Sequence, residues 1–189
     1  MLCVRVENLR KNYGGQEVLC GVSFAAEKGV TAVMAPSGRG KTTLLRILLG
    51  LETADSGTIH DLPGRWSAVF QEDRLLPVLS AMGNLRFAIG PGLDEGEANA
   101  LLDRLGLGAE GDKAVENYSG GMKRRLCLAR ALLAHSDAIV LDEPFTGLDE
   151  ENRRASLDAI QDAAKDKLVL LVTHDDADAE ALGARVVRL

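Results

Sequence analysis

The chain has 189 residues, 46% apolar and 26% charged, with 22 basic against 28 acidic side chains and a formal net charge of −6. That length supports one domain with a real core, and the acidic surplus weighs against nucleic acid as a partner. No run of about 18 apolar residues exists to cross a bilayer, and Arg5, Glu7 and Arg10 stand where a signal peptide requires an apolar stretch, so a cytosolic chain is expected.

The first 30 residues read as strands. CVRVE alternates, and VLCGVSFAAE sets Val18, Cys20, Val22 and Phe24 at a period of two, as in a half-buried antiparallel sheet. Cys3, Cys20 and Cys127 lack the spacing of a metal site or a disulfide framework; their apolar neighbours predict three reduced core thiols. VTAVMA (30–35) is a continuous apolar run and predicts a strand buried on both faces. A leucine-rich helix follows from Lys41 to about Gly50, closed by that glycine. Between them lies the end of a phosphate-binding pattern, G-x-x-x-x-G-K-[ST], supplied by Gly40, Lys41 and Thr42. Ala35 occupies the place of the pattern's first glycine. Its methyl would cost roughly 1–2 kcal/mol only at positive φ, so a negative φ is expected there.

SGTI near residue 56 reads as a turn into a short strand, and WSAVFQ (66–71) as a buried one. Residues 72–117 then change character, with Pro77, Gly83, Gly90, Pro91 and Gly92 punctuating short helical pieces. In DEGEANALLDRLGLG, Asp94 can cap a helix, Glu97 can close a capping box, and Ala98, Leu101, Leu102 and Leu105 share a face. SGGMKRRLCLARALLAH (119–135) opens a second strong helix. AIVL (138–141) and LVLLV (168–172) are buried strands, with the amphipathic helix EENRRASLDAIQDAAKD between them. The alternation predicts an α/β fold with a mostly parallel sheet, an N-terminal antiparallel β portion and a small inserted helical lobe.

In open α/β sheets, ligands bind beyond the carboxyl ends of the strands. Four apolar strands here end in polar residues: at the loop after Ala35, at Gln71, at Asp142 and Glu143, and at Thr173 and His174. These groups are expected to converge on one crevice. Ser37, Gly38, Arg39, Gly40, Lys41, Thr42 and Thr43 would cradle phosphates with backbone N–H groups and the helix dipole. Lys41 would neutralise the outer phosphates and the Thr42 hydroxyl would bind Mg²⁺. Asp142 suits the Mg²⁺ shell, and Glu143 suits orienting or deprotonating an attacking water. His174 would donate to a γ-phosphate, and Tyr13 in RKNYGG would stack under a base, worth roughly 1–3 kcal/mol. Taken singly, a strand-end glutamine, a lone histidine or a surface tyrosine is unremarkable.

Together the residues resemble the ATP-binding subunit of ABC transporters, in the family's order and over nearly the whole chain. Tyr13 is similar to the adenine-stacking A-loop residue, APSGRGKT to Walker A and Gln71 to the Q-loop glutamine. YSGGM (118–122) resembles the LSGGQ signature, AIVLDEP Walker B, GLD (147–149) the D-loop, and His174 the switch histidine. The resemblance implies a P-loop NTPase (RecA-like) core of residues 1–71 and 118–189, interrupted by a helical subdomain at 72–117. It implies ATP with Mg²⁺ held between one subunit's phosphate loop and the signature of a second, head to tail, most simply in a homodimer. Ser119, Gly120 and Gly121 would face the partner's nucleotide, and Asp149 would link the two sites. Glu143 would be the catalytic base, helped by His174, while Gln71 and Asp142 with Thr42 would hold Mg²⁺ and water. The implied function is ATP hydrolysis energising a membrane transporter. Its partners would be transmembrane permease subunits, met by the helical lobe near Gln71, and a solute-binding protein; its place would be peripheral, on the cytoplasmic face of the cell membrane.

EDRLLPVLSAMGNL (72–85) is similar to importer subunits of the nitrate, sulfonate and taurine type. Those are usually longer, so a C-terminal regulatory domain is expected to be absent. The sequence departs from the signature at Tyr118, for leucine, and at Met122, for glutamine; Met122 stands four residues before Leu126 and also suits a helix core position. Two other classes stay open. A soluble ABC-type ATPase acting on DNA or ribosomes would want a coiled-coil insertion, tandem domains or a basic surface, and none is visible. A binding module using ATP as a switch is kept open by Ala35 and Met122 and opposed by Glu143 and His174.

Overall fold

Two sheets organise the chain, whose computed structural model describes residues 2–36, 38–111 and 113–189. β1 (Cys3–Tyr13) and β2 (Gln16–Glu27) form a long antiparallel hairpin, and β3 (Gly29–Met34) leads through the loop into α1 (Lys41–Leu48). β4 (Ser56–His60), β5 (Trp66–Val69), α2 (Ala81–Ile89), α3 (Glu95–Arg104) and α4 (Gly120–Leu133) follow. The chain ends in β6 (Ala138–Asp142), α5 (Glu150–Ala164), β7 (Leu168–Val172), α6 (Asp176–Ala181) and β8 (Arg185–Arg188). The larger sheet has the order β5-β6-β7-β3-β8 with every pairing parallel. The smaller, β2-β1-β4, is antiparallel. The expected architecture is therefore present.

Every residue of β6 and β7 is buried, which is why both read as unbroken apolar runs. Their side chains divide by parity. Ile139, Leu141, Val169 and Leu171 join one cluster with α3, α4 and α5. Ala138, Val140, Leu168, Leu170 and Val172 join Leu44, Leu45 and Leu48 of α1 and Val4, Val6 and Leu9 of β1 on the other face. Each fully buried leucine contributes roughly 1.5–3 kcal/mol, so α1 is seated firmly against the sheet it must serve. It closes as predicted at Gly50: Gly50 N donates to Ile47 O and Leu51 N to Arg46 O. Asp94 caps α3 through Oδ1, accepting from Gly96 N and Glu97 N, and Ala98, Leu102 and Leu105 are buried.

β2 corrects one expectation. Val18, Cys20, Val22 and Phe24 do not share a buried face, because the hairpin register slips between Val6 and Leu9, Leu9 and Arg10, and Lys11 and Asn12. Each slip moves the side chains beyond it to the opposite face. Leu19, Phe24 and Ala26 are buried and Cys20 is exposed. The core-cysteine expectation holds for Cys127; Cys3 is half-buried and Cys20 lies on the surface. Among the described residues no helix is long and apolar enough to cross a membrane.

Candidate active site

Because β3, β5, β6 and β7 run parallel in one sheet, their carboxyl ends share an edge. A cavity of about 260 Å³ opens there, lined by Gly38, Gly40, Lys41, Thr42 and Thr43 with Gln71, Glu143 and Val18 of β2. Arg39 lines an adjoining groove of about 690 Å³ along β2, which shares Val18 and Gly38 with the cavity. Ser37, also expected in the cradle, falls outside the described residues. A groove of about 650 Å³ between α3, α4 and α5 gathers none of these strand-end groups.

Gly40 is the N-cap of α1 at φ 80, ψ 8 and offers no capping side chain. A Cβ there would lie 2.6 Å from Leu19 Cδ2 and from Val18 O, so the close approach of β2 demands glycine. The first turn of α1 contains no acidic residue, leaving its amide donors and positive dipole end to an anion. Among the described residues the non-glycine positions with positive φ are Asn8, Asp61, Arg74 and Glu143, and Ala35 is not one of them; the loop begins as expected without a glycine. Lys41 Nζ donates to Ala35 O at 2.6 Å and to Pro36 O at 3.2 Å, folded across the loop's entry.

Thr42 Oγ1 donates to Asp142 Oδ2 at 3.1 Å. Asp142 is 1% exposed, and burial pushes its carboxyl above the usual carboxylate range, opposed by the Thr42 hydroxyl. Its Oδ1 is the buried side-chain polar atom without a hydrogen-bond partner among the described residues. An orphaned buried acceptor costs about 1–3 kcal/mol. A carboxylate and a hydroxyl side by side, one oxygen unclaimed, are the hard donors that Mg²⁺ takes; the residues present fit that ion. Glu143 follows at φ 50, with its N–H donating to Val172 O at 2.9 Å. His174 Nδ1 lies 3.0 Å from both carboxylate oxygens of Glu143. That pairing raises the His174 pKa. His174 thus engages Glu143 itself, where a phosphate contact alone was foreseen.

Neither Asp142 nor His174 lines the cavity itself; His174 opens on a neighbouring groove with Met34, Ala35 and Pro36, and the remaining expected residues also stand outside the cavity. Ser119 caps α4, its Oγ accepting from Met122 N at 3.2 Å, and it is exposed with Gly120. Gly121 packs so near the GLD loop that a Cβ would meet Gly147 O at 3.0 Å. Asp149 caps α5, and the Asn152 N–H at 2.9 Å holds its carboxyl below the usual range. Tyr118 is buried and donates its hydroxyl to Glu110 O at 2.8 Å, while Met122 packs partly buried against the main core. Tyr13, 44% exposed, pairs with Gln16, which lines the adjoining groove, and Lys11 Nζ sits 5.2 Å from its ring centroid.

Two clusters of bonds were not foreseen, and Thr173, expected in the crevice, belongs to the first of them. Thr173 Oγ1 donates to buried Asp178 Oδ2 at 3.0 Å, and Arg153 Nε of α5 donates to Asp178 Oδ1 at 2.9 Å, anchoring the segment after His174. Arg124 and Arg125 are also buried; two adjacent arginines inside the apolar run RRLCLARALL were the available signal.

The sequence profile of the ABC transporter family matches residues 19–146, more than half of the chain. The chain is 35% identical over 190 residues to an aliphatic sulfonates import ATP-binding protein (SsuB 1) of Pseudomonas savastanoi pv. phaseolicola, covering 99% of this chain and 79% of that protein. It is 38% identical over 192 residues to the similarly named protein of Nocardia farcinica, covering 100% and 78%. A solved ATP binding subunit of an ABC transporter superposes with a TM-score of 0.87 at 26% identity, over 98% of this chain and 85% of the other. A bacterial Atm1-family ABC exporter with ATP bound also reaches 0.87, at 21% identity and 37% of its own length, a likeness of fold.

Proposed function

The chain belongs to the ABC transporter family, and from that premise we propose that it binds and hydrolyses ATP at the β-strand edge to energise an importer of the kind for which its relatives are named. The observation that carries this reading is the Thr42–Asp142 pair, with one buried carboxylate oxygen unclaimed, beside Glu143 and His174 at the mouth of α1. Membership in the family makes the protein an ATPase subunit with a P-loop NTPase core.

The proposed roles are supported by this geometry at the strand edge and, for the residues outside it, by the family. Amide groups from Gly38 to Thr43 and the Lys41 ammonium receive the phosphates. Thr42, Asp142 and Gln71 would hold Mg²⁺, which when bound neutralises charge on the phosphate oxygens. Glu143 orients the attacking water and accepts its proton, and His174 holds that carboxylate in place. Tyr13 stacks on the adenine. Ser119, Gly120 and Gly121, with Asp149, serve the nucleotide of a second copy in a head-to-tail dimer. Residues 72–117 form the helical unit that meets the permease, within a system that includes a solute-binding protein, on the cytoplasmic face of the membrane. Nucleic acid has no part in it.

The test is Glu143→Gln. Hydrolysis should stop while ATP remains bound and the chain elutes as a dimer; phosphate release at the wild-type rate would remove Glu143 from its role.

A further inference from the structure

α4 reaches back to the strand edge through its buried arginines. Arg124 is 8% exposed, yet its nearest ion-pair carboxylate oxygen, Asp73 Oδ1, stands 3.8 Å away, beyond hydrogen-bond reach. Its guanidinium instead bridges two main-chain acceptors: Nη1 donates to Phe70 O and Nη2 to Gln71 O at 2.7 Å. The same stripe of the helix continues the contact. Cys127 Sγ donates to Asp73 O at 2.9 Å, and Arg130 reaches Arg74 O at 2.8 Å and Asp73 O at 3.2 Å. Positions 124, 127 and 130 fall on one helical face, so one face of α4 fastens the backbone from Phe70 to Arg74.

Gln71 lines the nucleotide cavity, is exposed, and its side-chain amide bonds to none of the described residues. Its backbone is therefore what fixes it, and Arg124 holds that backbone. α4 begins after its cap at Ser119, five residues before Arg124, so the two stand near the same end of the helix. A buried guanidinium without an ion-paired hydrogen bond is costly, and its two carbonyl partners are what compensate here.

We propose that Arg124 is a positioning residue for ATP hydrolysis: by bridging the Phe70 and Gln71 carbonyls it sets where the Gln71 amide stands over the cavity and ties that amide to the start of α4. The proposal rests on the ATPase reading above. The bridge makes Gln71 and Ser119 move together with the start of α4, so a shift at Ser119 is felt at Gln71.

The test compares the full chain with Arg124→Met, Arg124→Lys, Gln71→Ala and the double variant Arg124→Met/Gln71→Ala. Arg124→Met should lower kcat about tenfold or more, with affinity for a fluorescent ATP analogue within about twofold, and Arg124→Lys should recover part of the loss. In the Gln71→Ala background Arg124→Met should add less than about twofold, because it acts through Gln71. Amide exchange over 71–75 should quicken about tenfold while β6 and β7 keep their protection. Unchanged kcat in folded Arg124→Met, losses that multiply in the double variant, or kcat and affinity falling together would each overturn the proposal. Should Arg124→Met not fold, unchanged exchange over 71–75 in Arg124→Lys overturns it. A wild-type chain without ATPase activity would sink the functional reading, while the exchange comparison would still decide on the bridge.

Discussion

Glu143 sits in a left-handed backbone conformation at φ 50, which costs a side-chain-bearing residue roughly 1–2 kcal/mol. The cost is borne at the mouth of the cavity, where its carboxylate meets His174, the kind of place where such strain gathers. The contact has a measurable consequence. Glu143, through its hydrogen bond and then its charge, stabilises protonated His174, so the folded pKa lies above the ordinary value. The stabilisation is complete below about pH 6.5, the unfolded value, and is lost as pH rises through the higher folded pKa. An NMR titration should place the His174 midpoint above that of a free imidazole, and Glu143→Gln should bring it down; with three histidines in the chain, assignment is direct. A wild-type midpoint at the free value would mean that the pair does not form. Tyr13 answers to a different measurement. Phenylalanine there should leave nucleotide affinity unchanged and alanine should weaken it by about 1–3 kcal/mol; equal affinity in the alanine variant would end the stacking role. At this scale the sequence spoke clearly for Lys41, Thr42, Asp142 and Glu143, since each follows an apolar strand. It marked Arg124 only as an arginine in an apolar run and named no partner for it or for Asp178, because those partners lie 53 and 25 residues away in the chain.

Elements were legible where local chemistry decides them. α1 ends on its glycine, and α3 and α5 begin on Asp94 and Asp149, each a capping aspartate. β2 was misread because bulges break a period of two without leaving a compositional trace. α6 went unpredicted: six residues, half of them acidic, show no apolar stripe, and its place is set by Asp175 capping and by the Arg153–Asp178 pair. The segment from Glu72 to Ser80 is also non-periodic, and tertiary bonds shape it. Asn84 of α2 is 3% exposed; its Oδ1 accepts from Leu76 N at 2.8 Å, and its Nδ2 donates to Leu76 O and Ser80 O, each at 3.0 Å. Asn84→Ala would strand those groups, so a loss of about 2–3 kcal/mol is expected in urea unfolding. A loss under about 0.5 kcal/mol would show that this network does not hold the segment.

At the scale of the whole molecule, one chain brings together only part of what its motifs describe. The loop, Gln71, Asp142, Glu143 and His174 share an edge of the parallel sheet, whereas Ser119 and Gly120 are exposed at the start of α4 and line no part of the cavity. The order of the motifs was plain in the sequence, but the division of labour proposed above would be a property of no single chain. The head-to-tail pairing proposed above makes a quantitative demand. Lys41→Ala disables a chain's own loop, and Ser119→Arg disables only what it offers to its partner, so each variant alone should be inactive. Mixed in equal amounts with free exchange, half of the dimers are heterodimers. Each of these contains one site in which both defects fall and one in which neither does. The mixture should then recover about a quarter of the wild-type rate for independent sites in a two-fold dimer, a value read from phosphate release at saturating ATP. Substantial activity in Ser119→Arg alone would mean that the signature does not complete a site. A mixture as inactive as its parts, with exchange verified, would mean that each chain's loop depends on its own signature or that one intact site cannot work unless the other does.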